Sequence, residues 1–183
     1  MTTTLLTRHP DTPCEAVRSI AVEAVRAPGG RLSLLYIAAG DAEDLYLPDP
    51  APPLRTDELW KRTCFEAFIL GDDGAAYHEF NFSPSTAWAA YRFTGRREGM
   101  TGAQEIGDPR IEAGPMLNGY ALAAELDLSA SPILAPDGPW RLAITAVIEE
   151  LYGRISYWSL AHPSGKPDFH SPEGFVLNLP APE

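Results

Sequence analysis

Cysteine is nearly absent. Cys14 and Cys64 are the only two in 183 residues, too few for a disulfide framework and with no CxxC spacing for a metal or redox site. Positive charge is also scarce: 14 Lys plus Arg stand against 25 Asp plus Glu, a net charge of -11 with a pI near 4.7. A surface of that sign repels polyanions and excludes nucleic acid as a partner. Long apolar runs are missing. A stretch such as Leu142 to Ile148, broken by Thr145, is far short of the ~20 residues that a membrane span needs. The N-terminal MTTTLLTRHP has neither the basic nor the apolar region of a signal peptide, so the expectation is a soluble cytoplasmic protein with no membrane partner. No GxGxxG, P-loop, GxSxG or HExxH occurs, which removes the usual sequence support for dinucleotide, phosphoryl, serine-hydrolase and zincin chemistry.

Helical periodicity is lacking beyond a turn or two. Alternation is abundant instead. Tyr120, Leu122, Ala124, Leu126 and Leu128 form an apolar row with Glu125 and Asp127 on the other face, the period of a strand with one side on a core. Trp140, Leu142, Ile144, Ala146 and Ile148 repeat the pattern, and Ala143 and Val147 behind them point to a central strand covered on both faces. Val17 to Ala39 reads as a hairpin turning at Pro28 to Gly30, and Thr63 to Leu70 with Ala76 to Phe82 as a second turning at GDDGA. Trp88 to Phe93, Arg154 to Ala161 and Phe175 to Leu179 complete nine or ten strands. With 15 glycines and 18 prolines gathered between them, the fold class is all-β: one domain over residues 1–183, a two-layer antiparallel sandwich of immunoglobulin or jelly-roll type with little helix.

Two segments carry candidate chemistry. On the first, Cys64, Glu66, Phe68 and Leu70 share a face of one strand, and Tyr77, Glu79 and Asn81 a face of the next. Glu66 and Glu79 are therefore carboxylates among apolar neighbours, where burial penalises charge unless a partner compensates it. They either bind a polar ligand with Asn81, beside the flat surfaces of Trp88 and Tyr91, or pair with Arg62, Arg92 or loop amides to specify the fold. The second segment leaves a strand bearing Tyr157 and Trp158 and enters a loop with His162, Lys166, Asp168 and His170. His162, Asp168 and His170 could supply two nitrogens and an oxygen to a metal, but their spacing is not diagnostic; backbone hydrogen bonds by the histidines are the favoured account of the loop, and we expect no metal. Arg92, Arg96 and Arg97, with Lys61 and Arg62, form a basic island suited to a carboxylate or phosphate, or a solvated patch balancing nearby acids.

The runs LWKRTCFEAFI, YHEFNFSPSTAWAAYRF, GRREGM, LAITAVIEE and ISYWSLAHPSGKPDFHSPEGFVLNL resemble a bacterial group of the DOMON-like superfamily related to the family-nine carbohydrate-binding modules. The resemblance extends from about Leu59 to Leu179, with EFNFSP and HPSGKPDFH its most specific motifs. It implies a β-sandwich whose concave face or open end takes a ligand, in the wider superfamily a sugar or haem. Sugar-binding relatives use aromatic platforms ringed by polar groups, parts that Trp88, Tyr91, Trp158, Glu79 and Asn81 are able to play here. A haem would need axial ligands from Met100, Met116, His78, His162 or His170, none of which stands in a recognisable pairing, so no haem or other cofactor is expected. The function expected is non-enzymatic binding of a small polar ligand, a carbohydrate or sugar derivative, at Glu66, Glu79, Asn81, Trp88, Tyr91, Arg92, Trp158, His162, Lys166, Asp168 and His170. An enzyme using paired carboxylates on a sugar or sugar acid, and a haem or metal carrier, are the alternatives. The two segments are expected to meet at one pocket.

Overall fold

A computed structural model describes residues 2–182. Twelve strands follow one another with only three short 3-10 turns between them: β1 (Thr2–Arg8), β2 (Val17–Ala27), β3 (Arg31–Gly40), β4 (Cys64–Leu70), β5 (Tyr77–Phe82), β6 (Trp88–Phe93), β7 (Thr101–Gly102), β8 (Arg110–Met116), β9 (Gly119–Asp127), β10 (Trp140–Glu149), β11 (Ile155–Ser159) and β12 (Leu177–Leu179). The expected limits of β6 coincide with these, and those of the other inner strands differ by at most two residues. Those absent from the sequence reading are β1, which pairs through a polar TTT run, the two-residue β7, and β8, whose Gly114 and Pro115 mask its alternation.

All pairings between these strands are antiparallel and form one path, β7-β6-β5-β4-β10-β11-β1-β2-β3-β9-β8, with β12 on β10. The path folds over at β1. Thr2 to Leu6 pair with β2, whereas Thr7 and Arg8 pair with β11, so one strand belongs to both layers. The layers trap a core built from the rows expected: Leu122, Leu126, Leu142, Ile144 and Ile148 are all buried, with Phe65, Phe80 and Trp140. At the β2–β3 turn Gly29 and Gly30 both take φ of 76°, a region that costs side chains steric strain. A Cβ on Gly30 would also sit 2.7 Å from the Ser129 nitrogen.

The layers differ on their outer faces. β2 and β3 alternate between buried and exposed residues, as strands with one solvated face do. β4 and β5 are buried on both faces, and outside them lies a second apolar cluster of Phe68, Tyr77, Ala89, Tyr91, Phe93, Ala143 and Phe175. Leu59, Trp60 and Phe169, from the segments before β4 and after β11, pack against it. A sheet face roofed by loops in this way leaves space between face and roof.

Candidate functional site

Strand parity sets the face under that roof. Glu66 stands opposite Asn81, Phe68 opposite Glu79, and Leu70 opposite Tyr77 across β4–β5. Glu79 and Tyr77 in turn face Tyr91 and Phe93 on β6, and Thr145 of β10 faces Glu66. The two glutamates are thus diagonal neighbours, about 7 Å apart by strand geometry.

A cavity of about 550 Å³ opens above them, lined by Glu66, Phe68, Glu79, Phe93, Val147 and Tyr157 from the sheet and by Trp60, Arg97, Met100, Lys166, Pro167, Phe169 and His170 from the roof. Five aromatic residues and five ionisable ones share its lining, a mixture of flat apolar surface and polar groups suited to a small polar molecule. Of the three described non-glycine residues in the left-handed region, Arg97 (φ 57°) lines it and Glu58 (φ 66°) starts the turn that carries Trp60 into it. Such conformations persist where surrounding structure fixes them. Arg97 sits in a turn closed by the Glu98 N–H donating to the Gly95 carbonyl at 3.0 Å, and its own backbone N–H donates to the Tyr77 hydroxyl at 3.1 Å.

The polar groups form a connected set. Asn81 Nδ2 donates to Glu79 Oε1 at 2.8 Å, and the Cys64 thiol donates to Asn81 Oδ1 at 3.6 Å. Thr145 Oγ1 donates to Glu66 Oε2 at 3.2 Å, while Glu66 Oε1 is buried with no partner. Because the Tyr77 hydroxyl accepts from Arg97, its own proton points to His170 Nδ1 at 2.7 Å. That leaves Nε2 as the protonated nitrogen, facing Glu79 Oε2 at 3.7 Å. Asp168 takes guanidinium groups from both Arg96 and Arg97 and accepts the His170 backbone N–H at 3.1 Å.

Burial dominates the titration of these groups. It pushes Glu66 well above the usual carboxylate range, helped by the charge of Glu79. It raises Glu79 to about 7 against the opposing pull of the Asn81 hydrogen bond and the Arg97 charge. His170 is lowered to about 4, by burial first and then by Arg97. Burial would raise Asp168, but the Arg96 and Arg97 hydrogen bonds outweigh it and hold Asp168 at about 2. The floor is therefore poor in charge at neutral pH and the rim rich in it.

Of the residues singled out in the sequence, Glu66, Glu79, Lys166 and His170 line this cavity, with Asn81 beneath it and Asp168 behind it holding the two arginines. Glu79 and His170 lie some ninety positions apart in the chain and share one space. Neither glutamate pairs with Arg62 or Arg92, which bind Glu149 and Glu105 instead. Tyr91 is on the same face but donates to Asp57 at 2.7 Å and lines a neighbouring cavity that shares Trp60 and Met100 with the first.

Four expectations require correction. Trp88 pairs with Phe82 and points into the core, under the Arg55 guanidinium. Trp158 also faces the core, its indole N–H donating to Ser156 at 3.0 Å. In both strands the aromatic residue of opposite parity, Tyr91 or Tyr157, takes the outer face. Arg92 follows the parity of Trp88 and leaves the site for Glu105. His162 donates from Nε2 to the Thr7 carbonyl at 2.8 Å and stacks edge-on against His9, whose Nε2 bonds the Gly165 carbonyl. That pair anchors the base of the roof loop to β1, and the metal set it was weighed for does not form: among the described residues no three His, Cys, Asp or Glu converge on a metal position.

Sequence reasoning missed Trp60, Phe93 and Phe169. Trp60 and Phe169 lie in irregular segments without periodicity. Phe93 was within reach, because it shares the parity of Tyr91.

No protein-family model and no curated protein sequence matches the chain. Solved structures do. A candidate carbohydrate-binding protein from Bacteroides uniformis superposes with a TM-score of 0.70 at 14% identity, covering 95% of this chain and 84% of that one. A family 9 carbohydrate-binding module from Caldicellulosiruptor kristjanssonii, in complex with cellotriose, superposes with a TM-score of 0.52 at 12% identity over 90% of this chain and 80% of that one. At such identities the likeness is one of architecture: the chain has the β-sandwich fold of the family 9 carbohydrate-binding modules.

Proposed function

We propose that the protein is a binding module for a small sugar or sugar derivative, held in the cavity between Glu79 and His170. The observation that carries this reading is the composition of the cavity. Trp60, Phe93, Tyr157 and Phe169 supply flat apolar surface, while Glu66, Glu79, His170 and Lys166 offer donors and acceptors. A sugar ring presents the same mixture, with apolar C–H faces and a girdle of hydroxyls. The fold shared with carbohydrate-binding modules supports the reading. So does the meeting of EFNFSP, which contributes Glu79 and Asn81, with HPSGKPDFH, which contributes Lys166, Phe169 and His170. On those two motifs we also assign the chain to the DOMON-like group.

Isothermal titration against a panel of neutral, acidic and amino sugars tests the proposal. We expect saturable binding of at least one member, weakened at least about tenfold by Trp60→Ala and by His170→Ala. Absence of binding across the panel, or binding that neither substitution alters, would overturn it.

A second reading has one specific observation in its favour. A glutamate poised at about 7 beside a neutral imidazole suits general acid–base work on a sugar. Turnover of any panel member, lost in Glu79→Gln, would establish it in place of simple binding.

A further inference from the structure

Among the described residues no lysine or arginine pairs with the two carboxylates inside the cavity. Glu66 and Glu79 are 2% and 5% exposed. Their hydrogen-bond partners, Thr145 and Asn81, are neutral. His170 contributes only a neutral ring, since its Nδ1 accepts from Tyr77. Glu66 Oε1 has no partner at all, although Glu66 lines the cavity. The arginines around the site bind other carboxylates: Arg62 binds Glu149, Arg92 binds Glu105, and Arg96 and Arg97 share the single carboxylate of Asp168, which leaves one positive charge at the rim rather than on the floor. Lys166 is exposed at the rim, with no carboxylate within ion-pair distance among the described residues.

We propose that the ligand brings the missing cation: an amino sugar whose protonated amine lies between Glu66 Oε1 and Glu79 while its ring rests on the aromatic wall. The ring rests on the sugar-binding reading above, and the amine on the carboxylate pair alone. Two buried carboxylates a diagonal step apart cannot both ionise unaided. An ammonium between them permits both to do so and replaces weak neutral contacts with charge-assisted hydrogen bonds, roughly twice as strong. The faces of Trp60 and Tyr157 favour a cation further.

Proton linkage follows from the same arrangement. In the free protein burial favours the protonated form of Glu66, and Glu79, at about 7, is about half ionised at neutral pH. The other groups facing them are fixed: the Cys64 thiol and the Tyr77 and Tyr91 phenols are raised by burial and stay neutral, and His170 stays neutral above about 4. The Arg97 charge pulls Glu79 down and still leaves it at about 7. An incoming ammonium therefore expels protons. Affinity rises as Glu79 ionises and falls where the ligand's own amine loses its proton.

Isothermal titration of the full chain with glucosamine, N-acetylglucosamine, glucose and cyclohexylamine, in two buffers of different ionisation enthalpy that are not primary amines, tests this at about pH 6, where the ligand amines keep their protons and the carboxylates still have theirs to release. We expect glucosamine to bind at least about tenfold more tightly than N-acetylglucosamine, with proton release read from the buffer dependence. Glu66→Gln should abolish the preference, and Glu79→Gln is the second variant should the first fail to fold. Neutral sugars binding as tightly as glucosamine, or glucosamine binding without proton release, would overturn the cation and leave the sugar site standing. Cyclohexylamine binding without any sugar would keep the cation and discard the sugar. No binding by any of the four would overturn both.

Discussion

The Tyr77 hydroxyl donates to His170 Nδ1 at 2.7 Å while accepting the Arg97 backbone N–H at 3.1 Å. One phenol on the sheet thus fixes the tautomer of a roof histidine and ties the turn holding a left-handed residue in another loop to the sheet. Tyr77→Phe leaves an imidazole nitrogen and a part-buried amide without partners, and should destabilise the protein by about 1–3 kcal/mol in urea unfolding. It should also release the ring, so that nitrogen-detected NMR of His170 shows a mixture of tautomers where the native protein shows one. A single unchanged tautomer would mean that Glu79 alone orients the ring.

Stability should depend on pH through two opposed groups. Glu79 titrates at about 7 in the folded chain against 4.5 for an ordinary glutamate. Its contribution is complete below about 4.5 and is lost as pH rises through 7. His170 is lowered to about 4 from 6.5, so its contribution is present above 6.5 and lost as pH falls through 4. From about 4.5 to 6.5 the two slopes oppose one another, and Glu66, raised by burial in the same direction as Glu79, adds to the falling one. Relative to the native protein, Glu79→Gln should turn the slope over that window toward stability that rises with pH, and His170→Asn toward stability that falls, each by on the order of 2–3 kcal/mol across its range. Parallel profiles for the two variants in chemical unfolding at stepped pH would contradict the assignment.

The two classes of tryptophan should separate binding from folding. Trp158 sits in the core and Trp60 in the roof. Trp158→Ala should cost about 3–5 kcal/mol and leave the affinity of the folded protein unchanged. Trp60→Ala should cost less stability and at least about tenfold in affinity. Thermal unfolding and titration on the same samples decide it.

Leu126 is 3% exposed on β9 and packs in the core. Leu126→Ala should lower unfolding free energy by about 2–5 kcal/mol. A loss under about 1 kcal/mol would show that the layers relax into the space.

The parts of the fold legible in the sequence were those where one physical constraint acted alone. β9 has one buried face and one solvated face, and its alternation gives both its limits and its core row. β10 is covered on both sides, and Ala143 and Val147 already say so. β1 was not legible because its pairing is decided by backbone geometry at the seam rather than by apolar side chains. The site divides in the same way. Parity grouped Glu66 with Phe68, and Tyr77 with Glu79 and Asn81, because alternation holds within any strand. The same rule separates Trp88 from Tyr91, three positions apart, and Trp158 from Tyr157; ring size favoured the tryptophans, but the larger rings went to the closed core. Trp60 and Phe169 follow no period, since their positions depend on how the loops close over the sheet.

The double membership of β1 bears on how the protein is made. Thr7 and Arg8 pair with Ser159 and Trp158, so the strand that leaves the ribosome before all the others reaches its second partner only after some 150 further residues have been translated. Until then the β2–β3 hairpin has β1 along one edge, but the layer carrying the cavity has no edge to join. Pairings of such long range slow folding, and a half-made chain exposes unpaired strand edges that invite association with other chains. Slowing translation downstream of β6 should therefore increase aggregation of this protein more than slowing it earlier.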